Sequence, residues 1–137
     1  KRDGIYRVNP ADRSETRVLE LKNGDASASM RFDVSRDGKR IVWTTPNKNT
    51  VRIIEVASWA PFAVSKTDTI DTSAFWPVFS PKGEYIALEV FDWSDETEDK
   101  IAINQHLMMY SLRDRTWAGP LDLTPFDQNM MFITDWR

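Results

Sequence analysis

Phe79-Ser-Pro-Lys-Gly-Glu-Tyr-Ile-Ala-Leu88 lies over Val34-Ser-Arg-Asp-Gly-Lys-Arg-Ile-Val-Trp43 without a gap. Ser80 meets Ser35, Gly83 meets Gly38 and Ile86 meets Ile41, an offset of 45 that extends back to Phe75 over Met30. In Ser80-Pro-Lys-Gly83, proline presets φ at the first corner and glycine accepts the left-handed conformation that returns the chain into an antiparallel strand. Ser35-Arg-Asp-Gly38 does the same with Asp-Gly. The serine hydroxyl at the turn entry can bond the turn backbone, which fixes the register and therefore which face of the next strand is buried.

A repeat of this length redirects the whole reading. Apolar residues alternate or cluster in short runs between turn signals, and helical periodicity is nowhere sustained, so the expectation is all-β. The first full repeat gives strand a at about 30–35, b at 39–45, c at 51–56 and d at 61–66. The second gives 75–80, 84–91, 106–112 and 120–124. Residues 4–9 and 16–21 match strands c and d alone, while Phe132-Ile-Thr-Asp-Trp136 fits the start of a further repeat. The expected division is 1–24 as the second half of a unit (strands c and d), 25–69 as a full unit, 70–126 as a full unit with a long acidic b–c loop, and 127–137 as the start of the next.

The aromatic or apolar residue followed by Ser-Pro-Lys-Gly, then an apolar strand, resembles the TolB-type WD40-like propeller repeats. Val34, Arg36 and Lys82 depart from the family's usual aromatic, proline and aspartate. Leu121-Asp-Leu-Thr-Pro125 is similar to the strand ending that precedes a next blade. The resemblance implies an incomplete β-propeller of about two and a half four-stranded blades, which more polypeptide would have to complete, since propellers close with roughly 4–8 blades. A β-sandwich with two similar hairpins is the alternative. The resemblance also implies a periplasmic or otherwise extracytoplasmic setting. Two functions follow: a non-catalytic scaffold that binds a protein, or an accessory or gating propeller of a larger enzyme such as a serine peptidase.

Composition narrows the chemistry. The 137 residues include no cysteine and a single histidine, His106, so thiolate sites and poly-histidine metal sites are excluded. There is no Gly-x-Ser-x-Gly elbow, phosphate loop or His-Glu-x-x-His, and no catalytic residue or cofactor is expected. Eighteen basic against 21 acidic residues leave a net charge of −3, against nucleic-acid binding. No apolar run approaches the ~20 residues of a membrane span, and residues 1–20 are too charged for a signal peptide. Of the six tryptophans, Trp43, Trp76 and Trp136 are expected in the core, and Trp59 and Trp117 over hairpin ends.

Charge sorts by loop. Asp92-Trp-Ser-Asp-Glu-Thr-Glu-Asp-Lys100 carries five acids and one base. With Asp25, Asp68, Asp71 and Asp127 in the d–a connections, it makes one end acidic, while the a–b and c–d turns make the other mixed and mildly basic. The candidate partner-binding residues are Asp92, Trp93, Asp95, Glu96, Glu98, Asp99, Asp71 and Asp127, acids steering a basic partner and Trp93 anchoring it. A plain solvated loop is the alternative. A Ca²⁺ loop built on Asp92, Asp95, Glu96, Glu98 and Asp99 is a third reading, though it lacks the ordered ligand spacing and mid-loop glycine of an EF-hand.

Overall fold

The computed structural model describes residues 4–20, 31–45, 50–72, 74–93 and 102–122, and among them there is no helix. The described residues form ten strands in three antiparallel sheets: β1 (Gly4–Val8) with β2 (Glu15–Glu20), then β3 (Phe32–Val34), β4 (Arg40–Thr45), β5 (Thr50–Trp59) and β6 (Phe62–Asp71), then β7 (Ala74–Phe79), β8 (Tyr85–Trp93), β9 (Ala102–Ser111) and β10 (Trp117–Asp122). Each four-stranded sheet is a meander in chain order. Ser35 and Ser80 enter equivalent hairpins of two different sheets, β3–β4 and β7–β8.

The same two turns explain why the meanders share a phase. Gly38 and Gly83 have φ of 68° and 69°, where a β-carbon is disfavoured. Arg40 N donates to Ser35 Oγ (2.9 Å), and Glu84 N and Tyr85 N donate to Ser80 Oγ (3.1 and 3.0 Å). Both serines are buried, so each hydroxyl replaces water for backbone groups that would otherwise lack a partner.

The apolar runs Ile41-Val-Trp43 and Ile86-Ala-Leu88 reflect burial on both faces. Val42, Val51 and Ile53 point from the first four-stranded sheet toward Phe79, Ile86 and Leu88 of the second, with Val90, Tyr110 and Leu112 packed at the margin. Ile41, Trp43 and Ile54 point the other way, onto Ile5 and Val18 of the β1–β2 hairpin. Each such aliphatic side chain removed from water contributes about 1.5–3 kcal/mol, so burial holds the stack together. The outermost strand β6 is guarded by Ser65, Lys66, Thr67 and Asp68 instead of apolar residues, which suits an edge.

Several expectations change. Strand d of the first sheet runs on to Asp71, so Asp68 and Asp71 are not in a d–a connection but within β6, opposite Ile53 and Thr50. The β8–β9 ladder extends to Asp92↔Asn104 and Trp93↔Ala102. Asp92 and Trp93 are therefore strand residues, and His106 sits inside β9 between Val90 and Asp122 instead of opening it. Backbone pairing carries the ladder onward through Phe91↔Gln105 and Asp92↔Asn104, with a register shift before Trp93. Trp43 is buried and Trp59 closes its hairpin as expected, whereas Trp76 is half-buried with φ of 44°. Trp136 lies outside the described residues.

Candidate functional site

The two ends of the stack carry different chemistry. At one end β6 stops at Asp71, which is exposed and opposite Thr50, and β8 stops at Asp92 and Trp93. Strand direction thus brings three of the eight candidate residues to a common end, away from the glycine turns. Asp95, Glu96, Glu98, Asp99 and Asp127 lie outside the described residues, as does Asp25. Of the five acids considered for Ca²⁺, only Asp92 is described. Among the described residues no group of three or more histidines, aspartates or glutamates could hold a metal ion, and no helix is long and apolar enough to cross a membrane.

At the opposite end the turns form a hydrogen-bonded, mixed-charge rim. Asp37 Oδ1 accepts from Ser35 Oγ (2.7 Å) and Lys39 N (3.0 Å), which hold its carboxyl below the usual aspartate range with help from the Arg40 and Lys39 charges. Asp12 is lowered by bonds from the Ser14 side chain and backbone. Between the two four-stranded sheets the rim opens into a cleft of about 310 Å³, whose lining includes Lys66, Lys82 and Arg113, Glu55, Glu84 and Asp114, and the apolar Ile53 and Leu112.

Two arginines cross this boundary. Arg40 Nη1 donates to Gly83 O (2.6 Å), and Arg115 Nη2 donates to Asp68 Oδ2 (2.7 Å). At the other boundary Arg7 Nη1 donates to Trp59 O (2.8 Å). Along the inner edge strands, Phe79 N donates to Asp33 Oδ2 (2.8 Å), tying β7 to β3. None of these ties was legible in the sequence, because each joins residues 43 or more positions apart whose proximity only sheet stacking creates. Glu89 is a further surprise: it is fully buried on β8, opposite Phe75 and Leu107, at the repeat position of Thr44.

The described serine hydroxyls at the cleft serve the turns themselves. Ser80 Oγ accepts from Glu84 N and Tyr85 N, Ser111 Oγ donates to Asp114 Oδ2 and accepts from Asp114 N, and His106 stands in β9 opposite Val90 and Asp122. No protein-family model, curated protein or solved structure matches this chain, and its function has to be argued from its own residues.

Proposed function

We propose that this chain is a segment of a TolB-type, WD40-like propeller in an extracytoplasmic setting, and that it is a non-catalytic scaffold binding a basic protein partner at its acidic end. The propeller reading is supported by two successive four-stranded meanders stacked face to face, with equivalent serine–glycine turns in strands of equal phase. The observation that carries the docking reading is the convergence of Asp71, Asp92 and Trp93 on one end, where the acid-rich stretch 94–99 leaves β8. Clustered acids accelerate encounter with a cationic surface, and an aromatic supplies an anchor once water is expelled.

The test is recovery of bound protein from the source cell by three forms of the chain. These are the wild type, a neutralised form (D92N, D95N, E96Q, E98Q, D99N) and a control altered at the opposite end (K82A, R113A). A partner retained by wild type and control, lost from the neutralised form and released by raised salt is the expected result. Equal recovery by all three would sink the reading.

A further inference from the structure

We propose that the cleft between the two four-stranded sheets binds a small zwitterion with an apolar body, of the kind a short peptide presents, its carboxylate held by Lys82 and Arg113 and its ammonium by Glu55 and Glu84. The cleft opens at the glycine-turn end, away from Asp71, Asp92 and Trp93, and the proposal stands without the docking function above.

The charges around this cleft divide into engaged and available ones. Asp68 Oδ2 accepts from Arg115 (2.7 Å) with Lys66 Nζ 3.9 Å away, Asp114 Oδ2 accepts from Ser111 Oγ (3.1 Å), and Arg40 Nη1 donates to Gly83 O (2.6 Å). These groups build the walls. Glu55, Lys82, Glu84 and Arg113 also line the cleft, and their side chains make no hydrogen bond or ion pair among the described residues. Two cations and two carboxylates are thus left for a ligand, which selects for a molecule carrying both signs over a simple anion or cation. Arg113 presents a planar fork of donors that matches a carboxylate in two parallel bonds, and Lys82 adds a point charge. Ile53 and Leu112 contribute apolar lining, and Tyr85, 39% exposed, contributes an aromatic ring. At about 310 Å³ the cleft falls within the roughly 300–1,000 Å³ of small-molecule sites.

The first sheet shows the corresponding corner closed. There Trp59, at the end of β5, donates from Nε1 to Gly38 O (2.8 Å) and stands 5.7 Å from Phe62, so an indole spans from the β5–β6 hairpin to the glycine turn. In the second sheet the matching carbonyl, Gly83 O, is taken by Arg40 of the neighbouring sheet. Trp117 of the β9–β10 hairpin stands instead against Tyr110 (5.0 Å) and is 38% exposed. The span that an indole closes in the first sheet is lined in the second by Gly83, Glu84, Leu112 and Arg113 and belongs to the cleft. The opening is also braced, because the Arg40–Gly83 and Arg115–Asp68 ties join the two sheets beside it. A site whose walls are already fixed binds without a large ordering cost.

Amide NMR titration of the isotope-labelled protein with the dipeptide leucyl-leucine tests this, with its N-acetylated and its C-amidated forms as comparisons. The free dipeptide should give saturable shifts at Gly83, Glu84 and Leu112, and either cap should weaken binding about tenfold, the loss of one charge-assisted contact. R113A should weaken the free dipeptide about tenfold and no longer distinguish it from its amide. E55Q should likewise cease to distinguish the free dipeptide from its acetylated form, with unchanged resonances of β1 and β2 showing that both variants are folded. Absence of saturable shifts, or shifts centred on Asp92 and Trp93, overturns the proposal. So does an R113A protein that binds all three peptides as the wild type does, or equal affinity of the wild type for free and capped dipeptides, the behaviour of an apolar groove indifferent to charge.

Discussion

Ser80 and Ser35 show how much one hydroxyl determines. Both are buried, Ser35 accepting one backbone N–H across its turn and Ser80 two, so S80A should lower stability by about 1–2 kcal/mol, the usual result of leaving buried donors unpaired. Urea unfolding with an unchanged m-value would show it, and a loss too small to resolve would mean water replaces the hydroxyl. Asp37 yields a pH prediction. Its folded pKa is depressed, so the stability it contributes is present above the unfolded value of about 3.9 and is lost as pH falls through the lower folded value. A carboxyl NMR titration should place its midpoint below that of a free aspartate, and S35A should raise it. Gly83 separates backbone from packing: a β-carbon there would make only ordinary contacts, 3.6 Å from Arg40 Nη1, so G83A should cost about 1–2 kcal/mol from φ alone. A neutral G83A would show that the turn relaxes to another type.

Individual strands were largely readable, since each lies between recognisable turn signals, and what was missed has a local cause. The b–c acids draw the eye to a loop, but the β8–β9 ladder continues because cross-strand pairing outweighs the modest β-propensity of Asp92. Trp59 illustrates an element held from outside. Its indole Nε1 donates to Gly38 O (2.8 Å) and its ring stands 5.7 Å from Phe62, so the β5–β6 hairpin is fastened over the β3–β4 turn. W59F keeps most of the packing and removes the bond, and about 0.5–1.5 kcal/mol should be lost. Faster amide exchange at Gly38 and Lys39 should accompany it, and unchanged exchange at both would argue that the turn stands without the indole.

At the scale of the molecule, apolar burial between sheets dominates and the ionic ties adjust it. Leu88 is fully buried between the two four-stranded sheets, and L88A should cost about 2–5 kcal/mol. The Arg115–Asp68 pair is half-exposed, so a double-mutant cycle of R115A and D68A should give a coupling of about 0–1 kcal/mol that fades with salt. A coupling of several kcal/mol, insensitive to salt, would assign the pair a larger role in holding the sheets. The local code sufficed for the all-β class, the 45-residue repeat and the serine–glycine turns, because hairpin register depends on residues a few positions apart. It also marked the charged stretch at 92–100. Only tertiary structure decided that Asp68 serves Arg115, that Asp33 binds the neighbouring sheet and that Glu89 is buried. Those facts depend on which faces of separate sheets come together, and a contact across a stack is set by packing over distances that sequence spacing does not record.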